Sequence, residues 1–213
     1  MKNLLPLAVA AAALVGEAAF GDTNSPAVLP LLKVPVRVHL MQSSTEPALQ
    51  TTLKVAEASH IFLGVNKIWA QSGVQFELES IVITRALDNA PASKDPKDRW
   101  VVKTLSPLSR TSSAIDVCYV KTVAANGFYS GGVVVVKDAP VLKSVPGGTD
   151  EPLARVTSHE LGHALGLSHR QDSTNLMASK TTGFSLNENE IALARAGAMK
   201  RNLDDASAET RSH

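Results

Sequence analysis

The chain contains one cysteine, Cys118, in 213 residues, so no intrachain disulfide can form and the fold must rest on its core and on any bound ion. No charge of either sign is in excess. The 21 Lys and Arg against 20 Asp and Glu leave a formal net charge of +1, which offers no footprint for nucleic acid or an anionic membrane surface. Long apolar runs are also missing. The longest, Leu4 to Val15, falls well short of the roughly 20 residues that span a bilayer. There is no internal repeat and no calcium loop of the DxDxDG type. What the chain does have is a hydrophobic fraction of 44%, enough for a sizeable core in one domain with two lobes.

The N-terminus, Met1-Lys2-Asn3 followed by the Leu4–Val15 run and Ala18-Ala19-Phe20-Gly21, has the basic start, short apolar centre and small residues of a secretory signal. Cleavage after Gly21 makes residues 1–21 the signal and 22–213 the exported domain, with cleavage after Ala18 or Ala19 as competitors. The expected location is therefore secreted or periplasmic, with no membrane contact once the signal is removed. About a dozen residues lie between Asp22 and Lys33, just before the first strand, which leaves no room for a folded prodomain.

The most informative stretch is His159-Glu160-Leu161-Gly162-His163-Ala164-Leu165-Gly166-Leu167-Ser168-His169. On a helix His159 and His163, four residues apart, share one face and can share one metal ion at about 2.0–2.1 Å. Glu160 follows the first of them and can reach water at the metal rather than the metal itself. Gly166 suits a helix that must stop and turn, because glycine enters the left-handed region without steric cost, and the turn would return His169 as a third ligand. Three histidines leave a fourth position open, the pattern of a catalytic rather than a structural zinc site. Asn175-Leu176-Met177 follows, with Met177 eight residues after His169.

HExxHxxGxxH followed by such a methionine resembles the metzincin clan of zinc endopeptidases, and the short gap from His169 to Met177 looks most like the matrixin branch. The resemblance implies one zinc ion held by His159, His163 and His169, Glu160 as general base, and Met177 as an apolar floor beneath the metal. It also implies an α+β fold: a twisted mixed sheet, a long backing helix, an active-site helix and a small C-terminal lobe with a final helix. The upper lobe would run over residues 34–166, the lower over 167–203, and a polar tail over 204–213. Arg170 departs from the residue that each named branch has after its third histidine. Ser179 stands two residues after Met177, where astacins and serralysins have a tyrosine. An edge strand just before the active-site helix binds substrate main chain in this clan, which points to Gly131–Val136, with Gly132, Val133 and Val134 at its centre. The same valines also read as an ordinary core strand.

Periodicity supplies the other elements. Val34–Leu40 alternates as a strand, with His39 on the polar face beside Arg37 and expected in solvent. Residues 47–72 read as one helix, with Val55, Ala58, Phe62, Val65 and Trp69 as its apolar stripe. Val74–Leu78, continuing to Ile83, is a second strand. Residues 86–98 read as a loop, 99–108 as a short helix and Ile115–Val123 as a strand. Asn126-Gly127 signals a turn. Thr149 or Asp150 would cap the motif helix. Asn187 with Glu190, or Ser185 with Glu188, would open a last helix that ends near Arg201, with Ile191, Leu193, Ala194 and Ala198 for packing. Cys118, inside Ile115–Val120, reads as a small buried hydrophobe and not as a zinc-blocking cysteine.

The expectation from the sequence is thus a secreted, monomeric zinc endopeptidase acting on peptide or protein. Two other readings stay open: a secreted binding protein that keeps zinc without catalysis, and a zinc amidase acting on a non-protein peptide.

Overall fold

A computed structural model describes residues 29–86 and 114–209, with 204–209 as backbone alone. The signal at 1–21, the loop at 87–98 and the short helix at 99–108 lie outside the described residues. Five strands form one sheet in the order β2-β1-β3-β5-β4: β1 Leu32–Gln42, β2 Val74–Arg85, β3 Ile115–Val120, β4 Gly127–Ser130 and β5 Val133–Lys137. β2, β1, β3 and β5 run parallel and β4 antiparallel to β5, so the sheet is mixed, as expected for this α+β architecture.

The inner strands are covered on both faces, which is why Val133–Val136 of β5 is an unbroken apolar run and β3 is buried throughout, its one charged residue, Asp116, paired with Arg37 and His39. On one face Val36, Val38, Val117, Tyr119, Val134 and Val136 pack against three helices: α1 Val55–Trp69, α2 Pro152–Ala164 and α3 Glu188–Glu209. On the other, Met41, Leu49, Cys118, Val120, Val133 and Val135 form a second cluster. Cys118 is fully buried there, and burial raises its thiol pKa well above the ordinary value, with Asp116 adding to the rise.

Several expectations are corrected. The helix read over 47–72 is broken. A short turn of 3-10 helix at Pro47–Leu49 precedes α1, because Thr51 and Thr52 are held by Asp138: Thr52 donates through its main-chain N–H at 2.6 Å and its hydroxyl at 3.0 Å. His39 is 7% exposed rather than solvated. Because β3 lies beside β1, Asp116 bonds its Nε2 at 3.0 Å, while Thr84 bonds its Nδ1 at 2.9 Å. Asn126-Gly127 does not turn the chain; Gly127 opens β4, and the turn into β5 is at Gly131-Gly132, both with positive φ. β5 is accordingly an inner strand, with Val133 paired to Asp116 on one side and Ser130 on the other. Among the described residues Gly132, Val133 and Val134 do not lie on a free strand edge, and the edge strand on this side of the sheet is β4. Finally, α3 continues to Glu209, through part of the segment read as a tail, since Ala206 and Ala208 favour helix and no Gly or Pro stops it. Leu193, expected to pack, is half exposed, while Ala194 and Ala198 are buried.

Candidate metal centre

α2 begins at Pro152, with Glu151 at its cap position and the Thr149 hydroxyl accepting the Glu151 N–H at 3.1 Å. The helix places His159 and His163 on one face, then stops. Gly166 takes φ 95°, and the two bonds Gly166 N–H to His163 O (3.0 Å) and Leu167 N–H to Gly162 O (2.9 Å) close the helix end. No atom would obstruct a Cβ at Gly166, so glycine is required there by its backbone angle and not by space.

The reversal brings His169 back over the helix. His163 Nε2 lies 3.2 Å from His159 Nε2 and 3.1 Å from His169 Nε2. The three rings can present one ligand atom each within 4.8 Å of one another. The far sides of two rings fix their tautomers. His159 Nδ1 lies 2.8 Å from the Leu176 carbonyl and His163 Nδ1 lies 2.8 Å from the Leu167 carbonyl. A carbonyl oxygen only accepts, so both Nδ1 atoms carry hydrogen and both Nε2 lone pairs face each other. Two lone pairs at that distance repel without a cation between them. Ligands about 2.0–2.1 Å from a tetrahedral zinc are themselves about 3.3–3.4 Å apart, so this donor set fits zinc. Burial, opposed by the Leu176 carbonyl and assisted by Arg155 and the other two rings, pushes the His159 pKa down to about 3. Burial also lowers that of His163. Both are neutral at neutral pH, the form that ligates.

Glu160 is 5% exposed and lines both adjoining clefts together with the histidines. Burial raises its carboxyl pKa to about 8, with the Arg155 charge pulling the other way.

Met177 is fully buried under α2, so close that a Cβ on Gly162 would lie 2.7 Å from its sulfur. Its turn is held from two sides. Asn175 accepts the Met177 N–H at 2.7 Å and donates to Glu190 at 2.7 Å, and Arg170 N–H donates to the Met177 carbonyl at 2.9 Å. From α2, Arg155 donates to the carbonyls of Gly183 (2.9 Å), Ala178 (2.6 Å) and Asn175 (3.3 Å). Its Nη1 also lies 3.2 Å from His159 Nδ1, but that nitrogen already donates to Leu176, so this approach is a contact and not a hydrogen bond. Sequence reasoning missed Arg155. The one available signal was a charged residue four positions before His159, on the helix face that the motif buries.

Two clefts meet at Glu160. One, of about 380 Å³, runs under Gly127, Phe128 and Tyr129 to His163 and His169. The other, of about 290 Å³, lies between Gly127, Val156, Glu160, Leu142 and Lys180. The Lys137 N–H donates to the Asn126 carbonyl at 3.1 Å, which sets the parity of the β4–β5 ladder. Alternation then pairs Phe128 and Ser130 with β5 and turns the main-chain groups of Gly127 and Tyr129 outward, toward the first cleft.

A family model described as Metallo-peptidase family M12B Reprolysin-like matches residues 55–170, more than half of the chain. No curated protein sequence matches. Among solved structures, the chain is similar to archaemetzincin from Methanopyrus kandleri, at 19% identity over 82% of this chain and 95% of that one, with a TM-score of 0.42. It is also similar to metalloproteinase-II from Bacteroides fragilis, at 12% identity over 79% of this chain and 57% of that one, with a TM-score of 0.49. A third similar structure, solved as a chaperone–substrate complex, has 14% identity over 81% of this chain and 35% of that one, with a TM-score of 0.48. The chain thus spans little more than half of the second and about a third of the third.

Proposed function

The chain belongs to the reprolysin-like metallopeptidases of family M12B, and from that premise we propose that it is a metzincin-type zinc endopeptidase acting outside the cytoplasm. The observation that carries this reading is the convergence of three imidazole nitrogens, two of them with fixed tautomers, beside a buried carboxylate. The family implies zinc. His159, His163 and His169 would hold a single ion, which when bound supplies a Lewis acid that polarises a peptide carbonyl and acidifies water.

The chain's own residues do the rest. Glu160 is the general base: its carboxylate takes a proton from the attacking water and hands it to the departing amide nitrogen. Burial raises its carboxyl pKa while the Arg155 charge opposes that rise, and a cation held by the three histidines would oppose it further, favouring the carboxylate that accepts the proton. Arg155, Asn175 and Arg170 hold the turn at Met177, whose thioether forms the apolar floor beneath the histidines. The peptide lies antiparallel along the outer edge of β4, where Gly127 and Tyr129 face the cleft, as an added strand. The matrixin-like gap between His169 and Met177 is a local resemblance within a reprolysin-like chain. Export is supported by the basic start, the Leu4–Val15 run and the small residues Ala19 and Gly21, with 22–213 as the catalytic domain.

Replacing Glu160 by Gln keeps the shape and removes the base. The E160Q protein is expected to retain its metal content and thermal midpoint while cleavage of a peptide library falls by orders of magnitude. Cleavage at the parent rate would overturn the assignment.

A further inference from the structure

The cleft of about 290 Å³ beside Glu160 has an unusual charge balance. Two cations, Arg155 and Lys180, line it, and its one carboxylate is Glu160, which the proposed mechanism already uses. Arg155 is 1% exposed, yet its fixed partners are carbonyl oxygens, not carboxylates. Among the described residues its Nη1 has no acceptor once His159 Nδ1 is recognised as a donor. Among the described residues neither Arg155 nor Lys180 forms an ion pair, although Lys33, Arg37, Lys67 and Arg170 all do. Lys180 stands exposed at the rim, its backbone at φ 63° and its carbonyl fixed by the Lys143 N–H at 2.8 Å. The walls between the two cations, Val156 and Leu142, are apolar. A site with apolar walls, one buried and one rim cation, and no carboxylate other than Glu160 fits a short aliphatic stem that ends in a carboxylate.

The strand direction says which substrate residue reaches it. A chain antiparallel to β4 runs from Ser130 toward Gly127, past the histidines, and then beyond Gly127 to the lead-in at Ala124 and Ala125, which line this second cleft. The residue immediately after the cleaved bond therefore faces Arg155 and Lys180. Resting on the peptidase reading above, we propose that this cleft selects a carboxylate directly after the scissile bond, so that the protein cuts before Glu or Asp. A free C-terminal carboxylate at that place offers the same chemistry.

The test is a digest with the metal-loaded full chain of peptides varied at one internal position, with both termini blocked, and of the same peptides with a free C-terminal carboxylate. Glu or Asp after the cleaved bond is expected to raise kcat/KM about tenfold or more over Leu, and by more over Lys. The Lys180→Glu substitution is expected to reduce that ratio several-fold, a change in selectivity that a purely structural role for Lys180 would not produce. An advantage confined to the free-carboxylate series supports the inference and identifies the chain terminus as the source. Cleavage that favours Leu or Lys overturns it, as does an acidic preference unmoved in K180E. Failure to cleave any peptide with the metal bound instead overturns the peptidase reading itself.

Discussion

Arg170 Nε lies 2.6 Å from Glu190 Oε1, joining the residue after the third histidine to the first turn of α3. The second Glu190 oxygen accepts from Asn175 at 2.7 Å and from the Asn187 N–H at 2.9 Å. One carboxylate, 2% exposed, thus ties the His169 stretch, the Met177 turn and the last helix together.

This arrangement makes stability depend on acid. Burial raises the Glu190 pKa, but the bonds from Asn187, Asn175 and Arg170 outweigh it and hold the carboxyl below its usual range. A folded pKa below the unfolded value of about 4.3 gives stability that is fully present above that value and is lost as pH falls through the folded one. Glu190→Gln is expected to destabilise by about 1–3 kcal/mol at pH 7, because bonds to a charged acceptor are replaced by bonds to a neutral one. Its stability should also fall less steeply than the parent's below about pH 4. Chemical denaturation at a series of pH values reads both effects, and parallel curves would contradict the assignment.

The histidine cluster and the lone buried His39 should separate cleanly. His169→Ala removes one of three converging nitrogens and is expected to weaken zinc binding at least about 100-fold, more than loss of an outer-shell partner does. His39→Ala, on the other side of the sheet, deprives buried Asp116 of one partner and should lower the thermal midpoint with zinc affinity unchanged. Titration calorimetry on both variants, with a thermal melt of each, decides this. Equal zinc loss in the two would contradict it.

Gly127 approaches Glu160 closely. A Cβ there would lie 3.1 Å from Glu160 Cγ, 3.0 Å from Val156 Cγ1 and 2.9 Å from the Val135 carbonyl. Gly127→Ala is expected to lower kcat about 10- to 100-fold through displacement of Glu160, with zinc affinity retained. Stopped-time peptide assays beside a metal titration separate the two quantities. An unchanged kcat would show that Glu160 tolerates the shift.

Ser158, between Thr157 and His159, has a buried hydroxyl with no hydrogen-bond partner among the described residues. Its neighbour differs, since the Thr157 hydroxyl is 2.9 Å from that of Tyr119. Ser158→Ala should therefore be neutral or stabilising by up to about 1 kcal/mol, whereas Thr157→Val should cost about 1–2 kcal/mol by stranding the Tyr119 hydroxyl. Denaturant midpoints rank the two, and the reverse order would sink this reading.

Features governed by spacing along the chain were legible in the sequence. The turn at Gly166 and the reciprocal bonds between Asn187 and Glu190 follow from residues within a few positions of one another. Features set by distant neighbours were not. Gly127-Phe128-Tyr129-Ser130 carries no strand pattern, and it is a strand because β5 pairs with it. Alternation assigned His39 to the correct face of β1, but only β2 and β3 on either side, bringing Thr84 and Asp116, show that this face is not in water. Arg155 looks like a surface residue in any short window. Its burial depends on three carbonyls 20 to 28 residues away in the chain.

The outward edge of β4 has a further consequence. The main-chain groups of Gly127 and Tyr129, unpaired among the described residues, can be met only by a backbone whose own groups are not already used. Stretches locked in helix or sheet have none to offer, whatever their side chains. In the strand-addition mode proposed above, the first selection is therefore made on the folding state of the target, and loops, chain ends and unfolded proteins pass it before any residue preference applies.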